Sequence, residues 1–134
     1  MEQFGVKSTR RQEMIEITRQ VSEAVQRSGL NEGVAIVHVP HTTAAVTVNE
    51  NADPDVQSDM LNHLARLIPQ DASFRHAEGN SDAHLKASLI GNSETIPVTK
   101  NALALGTWQG VYFCEFDGPR NRAVHVQVLS AKDS

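Results

Sequence analysis

Two consecutive runs rich in β-branched residues limit what this chain can fold into. The first run, GVAIVHVP at residues 33–40, is apolar on both faces, which is typical of a strand covered on both sides. In the second run, HTTAAVTVNEN at residues 41–51, Ala44, Val46 and Val48 share one face, and the opposite face carries small and hydrogen-bonding side chains. The first of these faces is expected to be core. The second is either the floor of a pocket or the ordinary solvent-facing side of a half-covered sheet.

Three helical patterns surround these strands. The strongest is DPDVQSDMLNHLARLIP at residues 53–69, where Asp53 suits the N-cap, Pro54 suits the first helical position and apolar residues recur at helical spacing. Two more helices, with Thr18 and Ser81 as caps, are expected to end at glycines and are predicted at residues 18–29 and 81–91.

The remaining segments predict further strands. These are expected at residues 5–17, 94–99, 103–116 and 123–129, with turn-forming residues in DGPRNR before the last one. The order β-α-β-β-α-α-β-β-β predicts an α+β fold with mainly antiparallel pairing and about three helices. At 134 residues the chain fits a single domain, residues 1–134, that is large enough to bury a core.

Charge and cysteine content exclude several classes of protein. A formal net charge of −4 argues against a nucleic-acid protein held by bulk basicity, although a local arginine pocket can still bind a small anion. The single cysteine, Cys114, excludes an intrachain disulfide and favours a reducing compartment. The sequence has neither a secretory leader pattern nor an apolar run long enough for a membrane span. We therefore expect a cytoplasmic protein that binds neither nucleic acid nor membranes.

Polar side chains concentrate at the start of the third predicted helix, in RHAEGNSDAHLKASLIGNSE at residues 75–94. His76, Glu78 and His84 are of the types that bind metal ions or exchange protons, although their spacing matches no standard zinc pattern. Ser81 begins the helix, and the free N–H groups and dipole of a first helical turn attract phosphate. The alternative is a solvated polar joint between two elements.

A second polar cluster, YFCEFDGPRNR at residues 112–122, joins the last two predicted strands. Glu115 and Asp117 share a strand face, and their carboxylates suit Mg²⁺ bound together with a substrate phosphate. Arg120 and Arg122 follow at once, and arginine clamps phosphate oxygens bidentately. The alternative is a charged hairpin end in which carboxylates and arginines offset each other.

Three stretches together resemble the YjbQ family, also described as the secondary thiamine-phosphate synthase family. They are PHTTAAVTVNENADPDV, the pair RHAEGNS and AHLKASLIG, and LGTWQGVYFCEFDGPR, and with the helix between them they cover the chain from about residue 33 onwards. The resemblance implies a compact, β-sandwich-like α+β fold that assembles as a homotrimer. It also implies a transferase that joins hydroxymethylpyrimidine diphosphate to thiazole phosphate and releases pyrophosphate, as a main or a side activity.

The matching motifs imply a site for a small phosphorylated heterocycle. The catalytic residues would be His41, His76, His84 and Glu115. Together with Ser81 at the helix start, the substrate-binding residues would be Thr42, Thr43, Asn49, Glu78, Asn80, Asp117 and Arg120. A divalent metal cofactor, Mg²⁺ or Zn²⁺, would have as ligands His41, His76 and His84. Two interpretations from other classes stay open, namely a non-catalytic trimeric binding protein for a phosphorylated metabolite and a protein that binds only a metal ion.

Overall fold

The computed structural model describes residues 1–71 and 73–131. These residues form eight strands and three helices, in the order β1 (Glu2–Lys7), β2 (Glu13–Glu16), α1 (Thr18–Ser28), β3 (Gly33–His38), β4 (Ala44–Glu50), α2 (Pro54–Leu67), α3 (Ser81–Ile90), β5 (Ser93–Thr99), β6 (Ala102–Leu103), β7 (Gln109–Glu115) and β8 (Asn121–Ser130). None of the helices in the described part of the chain is long and apolar enough to cross a membrane.

The strands form two sheets. One sheet has five strands in the order β1-β8-β3-β5-β6, and the other has three strands in the order β2-β7-β4. The paired strands run antiparallel in both sheets. The predicted α+β class with antiparallel pairing and three helices is therefore confirmed.

The main core lies between the two sheets. Val37 and Val126 of the five-stranded sheet share one apolar cluster with Val46 and Phe113 of the three-stranded sheet, and each of them is at most 1% exposed. α1 adds the fully buried Val21 to the same cluster. Because burying one such side chain contributes about 1.5–3 kcal/mol, this shared cluster holds the sheets face to face as a sandwich.

The other face of the three-stranded sheet is covered by α2 and α3. Ala45 and Phe116 from the sheet side share a cluster with Leu64 of α2 and Ala87 of α3. Most of the polar-looking face of the second β-branched run is therefore packed under helices. Only its beginning, at His41 and Thr43, lines a cavity.

The first β-branched run is covered on one face only within this chain. In β3, Ala35 and Val37 are fully buried, whereas Val34, Ile36 and His38 on the opposite face are half-buried. The prediction of a strand covered on both sides is wrong for the single chain, because β3 belongs to a sheet whose outer face is open.

The helix ends follow the predicted signals in three cases, since Gly91 directly follows the last residue of α3, and differ in two others. Asp53 caps α2 by accepting the Asp55 N–H over 2.9 Å, and Gly29 ends α1 at a φ of 66°. α3 begins after Asn80 rather than after Ser81. In α1 the side chain of Thr18 accepts the Val111 N–H over 2.8 Å, so it ties the helix to β7 instead of capping it.

Both long predicted strands are interrupted by turns. The predicted strand at residues 5–17 becomes β1 and β2, because the turn between them bonds to the β7–β8 loop, where the Ser8 N–H donates to the Arg120 carbonyl over 3.0 Å. The predicted strand at residues 103–116 becomes β6 and β7, separated by a turn that contains Gly106. The first interruption brings Ser8 to the edge of the candidate site.

Candidate functional site

A cavity of about 460 Å³ lies where the β3–β4 loop, the start of α3 and the β7–β8 loop meet. Its wall contains nine residues that the sequence predicted, namely His41, Thr42, Thr43, His76, Glu78, Asn80, His84, Asp117 and Arg120. Pro40 and Arg122 complete the lining. We call it the charged cavity. The fold therefore brings the three polar stretches of the sequence to one place.

A buried ion pair supports one wall of the charged cavity. Glu115 is fully buried, and its carboxylate accepts hydrogen bonds from Arg122 Nε over 2.8 Å and from Ser8 Oγ over 2.6 Å. Burial raises the pKa of Glu115, but the hydrogen bonds from Arg122, Ser8 and the Asp117 N–H outweigh it and leave that pKa below its ordinary value. Arg122 Nη2 also donates to Thr43 Oγ1 over 2.8 Å. Glu115 thus lies behind the wall and orients groups that line it.

A glycine lets the chain pass close to this ion pair. A Cβ atom at Gly118 would lie 2.2 Å from the Arg10 carbonyl oxygen, 2.7 Å from Ser8 Oγ and 2.8 Å from Glu115 Cγ. No side chain fits such contacts, so position 118 requires the absence of a Cβ. The local sequence DGPR therefore forms a turn and also leaves the space in which Ser8 reaches the Glu115 carboxylate.

His41 offers a hydrogen-bond donor in its neutral state. Its Nε2 atom accepts the Ala123 N–H over 3.0 Å. A neutral imidazole that accepts at one nitrogen carries its proton on the other, so Nδ1–H is the donor that His41 can offer to a ligand. Burial and then the nearby charge of Arg122 lower the pKa of His41, which favours this neutral form.

Two further histidines stand together at the start of α3. The ring centroids of His76 and His84 are 5.5 Å apart, and the rings are at 89° to each other. His76 Nε2 lies 3.7 Å from Glu78 Oε2, and both of these side chains are exposed. The pair gives the charged cavity two imidazoles that are open to solvent on one side.

Asn80 combines a satisfied donor with an unsatisfied acceptor. Its Nδ2 donates to Asp117 Oδ2 over 2.8 Å, and the residue is only 6% exposed. Its Oδ1 is buried and has no partner among the described residues. A buried acceptor without a donor is costly, so a ligand group or a bound cation at this oxygen would be favourable.

Most formal charges in the charged cavity are already paired. Arg120 Nη2 donates to Asp117 Oδ2 over 2.9 Å, and its Nε donates to the Asp117 carbonyl over 2.8 Å. Arg122 is paired with Glu115. An incoming anion would therefore be held by the remaining guanidinium N–H groups, by hydroxyls and imidazoles, and by the N-terminal end of α3, rather than by an unpaired positive charge.

Buried charges anchor α3 on the side away from solvent. Asp82 is fully buried and accepts bonds from Arg11 Nη2 over 2.9 Å and from Lys86 Nζ over 2.8 Å. Lys86 is itself 1% exposed. Since Asp82 lies in the first turn of α3, these bonds fix the helix start that carries Asn80 and His84.

The predicted histidine ligands do not fit one zinc site. No group of three or more His, Cys, Asp or Glu side chains in residues 1–71 and 73–131 is placed to hold a metal ion. His41 is unsuited as a ligand, because its Nε2 accepts a backbone N–H and its Nδ1 carries the ring proton. Mg²⁺ instead takes one or two protein oxygens together with substrate phosphates, and the oxygen-bearing side chains of Asn80 and Asp117 line the charged cavity.

Three predicted residues do not line the charged cavity. Glu115 lies behind its wall. Ser81 is the first residue of α3, next to the lining residue Asn80. Asn49 lies near the far end of β4, where its Nδ2 contacts Met60 Sδ over 3.4 Å and its Oδ1 accepts the Glu50 N–H. Thr43 directly precedes β4, and the extended chain from Thr43 to Asn49 spans about 20 Å.

Neither the role of Ser8 nor the pairing of Arg122 with Glu115 was predicted from the sequence. Ser8 has no local signal, since its contacts are with residues more than 100 positions away. The pairing of Arg122 did have a local signal, because its partner Glu115 lies between Cys114 and Phe116 in a largely apolar segment. A carboxylate in such a position is buried only when a cation pairs with it.

These features define a class of protein: a small antiparallel α+β sandwich with a polar cavity of histidine, arginine, asparagine and carboxylate side chains where loops and a helix start meet. The chain belongs to the YjbQ family, because the family model described as "UPF0047 protein YjbQ-like" matches residues 2–131. The family membership predicted from the three sequence stretches is thereby confirmed.

Individual relatives are similar over almost their whole length. The chain is 47% identical over 129 residues to a UPF0047 protein of Methanocaldococcus jannaschii, which covers 96% of this chain and 94% of that protein. It is 49% identical over 125 residues to UPF0047 protein YugU of Bacillus subtilis, covering 92% and 95%. A crystal structure of a family member from Clostridium acetobutylicum aligns with a TM-score of 0.94 at 48% identity, covering 96% of this chain and 100% of that one.

Proposed function

We propose that this protein is a transferase of the thiamine-phosphate synthase type, which binds hydroxymethylpyrimidine diphosphate in the charged cavity and joins it to thiazole phosphate. The observation that carries the proposal is the convergence of Arg120, the neutral donor His41 and the start of α3 on one cavity. Arginine, N–H donors and helix N-termini are the groups that stabilise a diphosphate. The sequence family and the fold are compatible with this activity.

The bond changes in this reaction require a site that stabilises developing charge, and proton transfer is less important. The C–O bond between the pyrimidine methylene and the diphosphate breaks, and its electron pair leaves with pyrophosphate. The lone pair of the thiazole nitrogen forms the new C–N bond. The rate therefore depends on hydrogen-bond donors aimed at the departing oxygens. His41 Nδ1–H and the free N–H groups of Arg120 would supply them.

The pyrimidine-methyl carbon gains positive charge as the diphosphate leaves, and a carboxylate nearby would stabilise it. Of the two candidate glutamates, Glu78 lines the charged cavity, whereas Glu115 is buried against Arg122. Glu78 is therefore the residue proposed for this role. Glu115 is proposed as a positioning residue that fixes Arg122 and, through it, Thr43.

A magnesium ion that enters with the diphosphate would find oxygen donors in Asn80 and Asp117. It would neutralise part of the negative charge on the two phosphoryl groups. The chain's own contribution is to place these oxygen-bearing side chains in the lining of the cavity. Asp117 is held for this purpose by Arg120 and by Asn80.

The homotrimer implied by the resemblance is retained as part of this proposal. The outer face of the five-stranded sheet carries Val34, Ile36 and Leu129, which are half-buried or exposed within the single chain. An apolar sheet face of this kind is suited to contact between copies. Light scattering on the purified protein tests it, and the mass of one chain in solution would contradict it.

The transferase is tested by incubating the purified protein with both substrates and Mg²⁺ and measuring thiamine phosphate and released pyrophosphate. We expect turnover in the wild type and a loss of at least about tenfold in His84→Ala and Arg120→Ala, each of which removes a charge-stabilising donor. The matched controls are His63→Ala and Arg66→Ala, which change the same residue types on the exposed side of α2. Tight binding of pyrophosphate without turnover would overturn the transferase and favour the binding protein.

A further inference from the structure

A second cavity, of about 440 Å³, adjoins the charged cavity. His41, Thr42 and His84 line both of them. These three residues therefore form the boundary across which one ligand could extend from one cavity into the other.

The two cavities differ in chemistry. Beyond the shared boundary, the second cavity is lined by Ala44, Ala87, Ser88, Gly91 and Asn92, without any carboxylate, lysine or arginine. The charged cavity has carboxylates and arginines in the corresponding places. We call the second one the neutral cavity.

Small side chains shape the neutral cavity for a flat ring. Ala44 is fully buried and Ala87 is 6% exposed, so these residues close the base of the cavity and their methyl groups take up little of its volume. A Cβ atom at Gly91 would meet no atom within 4 Å, which shows open space beside its backbone. The hydroxyl of Ser88 and the amide of Asn92 lie at the exposed side and can bond to ring heteroatoms. An uncharged heteroaromatic ring satisfies both the apolar and the polar lining.

We propose that the neutral cavity is the subsite for the uncharged heteroaromatic ring of the diphosphate substrate. This inference rests on the proposed function for the assignment of the diphosphate to the charged cavity. The ring lies over the closed base of the cavity, and its edge bonds to Ser88 and Asn92. The methylene–oxygen bond that breaks then lies at the boundary formed by His41, Thr42 and His84.

The boundary residues suit this position. His41 presents a neutral Nδ1–H donor next to the oxygen that receives the electron pair. The ring of His84 contacts that of His76 edge to face, which restrains the orientation of the imidazole between the two cavities. The arrangement separates recognition of the ring from recognition of the diphosphate.

Two substitutions test the subsite without touching the core. Ser88 is exposed on α3 and lines the neutral cavity, so Ser88→Phe fills the space that the ring would occupy. Asn92→Ala removes the amide that would bond to the ring edge. The matched control is Ser58→Phe, the same change at an exposed position of α2 that lines neither cavity.

Calorimetry with two ligands separates this inference from the proposed function. We expect wild type and Ser58→Phe to bind hydroxymethylpyrimidine diphosphate about tenfold or more tightly than pyrophosphate, because ring burial adds to affinity. Ser88→Phe should bind both ligands with equal affinity, and Asn92→Ala should lose part of the preference. An unchanged preference in Ser88→Phe overturns the subsite, whereas failure of the wild type to bind pyrophosphate overturns the proposed function.

The free alcohol, hydroxymethylpyrimidine without phosphate, provides a test of the subsite that does not depend on the charged cavity. We expect saturation-transfer NMR to detect it at millimolar concentration with wild type and Ser58→Phe, and to lose the signal with Ser88→Phe. Equal signals from wild type and Ser88→Phe, or none from either, would overturn the inference whatever pyrophosphate does.

Discussion

Arg122 Nε donates to Glu115 Oε1 over 2.8 Å, and the two side chains are 5% and 0% exposed. The pair also bonds to Ser8 and to Thr43, so one buried carboxylate connects the β1–β2 turn, the start of β4 and the loop after β7. One wall of the charged cavity is thus held by an ion pair that is almost fully shielded from water.

Removal of the Glu115 charge should destabilise the fold. Glu115→Gln leaves Arg122 buried without a counter-charge, which costs about 3–5 kcal/mol. Urea denaturation measures this as a lower free energy of unfolding, with the exposed Glu23→Gln as control. The double change Glu115→Gln with Arg122→Met should lose less than the single change, because no unpaired charge remains. A single variant within about 0.5 kcal/mol of wild type would contradict the buried pair.

Stability should fall as the pH is lowered through the acid range because of Asp82. Burial raises the pKa of Asp82, but the hydrogen bonds from Arg11 and Lys86 lower it by more. The pKa of Asp82 in the folded chain therefore lies below its ordinary value. A carboxyl of this kind stabilises the folded chain above its unfolded pKa of about 3.9, and this contribution disappears as the pH falls through the folded pKa.

Denaturation curves at a series of pH values check this sign. Asp82→Asn should be less stable than wild type near neutral pH, and the difference should shrink as the solution is acidified below about pH 4. Asp59→Asn, at an exposed position of α2, serves as the control and should follow wild type throughout. A difference that grows with acidification would show that the sign is wrong.

Pyrophosphate affinity should fall when the imidazoles of His76 and His84 are replaced together. The arginines of the charged cavity are already paired with carboxylates, so these two rings are hydrogen-bond donors that remain available to the anion. We expect roughly a tenfold change, the equivalent of one charge-assisted hydrogen bond. Calorimetry of wild type and of the double variant His76→Gln with His84→Gln measures it.

The variant His41→Ala tests whether His41 binds the anion as a neutral hydrogen-bond donor or as a cation. Burial and Arg122 lower the pKa of His41 below its ordinary value, so His41→Ala should weaken pyrophosphate binding by a similar factor between about pH 7.5 and 8.5, where the imidazole is neutral. A loss that shrinks as the pH rises through this range would show that His41 binds the anion as a cation.

Cys114 should be unreactive in the folded protein. It is 2% exposed, and burial raises the pKa of its thiol to about 12, so almost no thiolate forms at pH 8. We expect no measurable alkylation by iodoacetamide under native conditions and one labelled site after denaturation, as read by mass spectrometry. Rapid native labelling would contradict the packing of β7 against the helices.

Local signals were sufficient to predict the kinds of elements and the three polar stretches of the site. Asp53 with Pro54, and Gly29 at the end of α1, are interpretable from neighbouring residues alone. The motifs around His41, His76 and Asp117 were also visible as segments. The cytoplasmic location and the absence of nucleic-acid or membrane partners stay predictions.

Long-range contacts account for what the sequence could not provide. The role of Ser8 depends on Arg120 and Glu115, which are distant in the chain. The division of residues 5–17 into two strands follows from the same contacts. The division between a charged and a neutral cavity depends on how α3 lies against β4, and no single segment encodes that placement.

The bond between Ser8 and Arg120 also has a consequence for the time at which the site can form. The Arg120 N–H donates to Ser8 Oγ over 2.8 Å across a separation of 112 positions. During synthesis Ser8 leaves the ribosome long before Arg120, so for most of translation the first turn has no partner. Because the entropy of closing so long a loop is lost before its contacts form, the charged cavity is assembled only after both of these distant segments have been made.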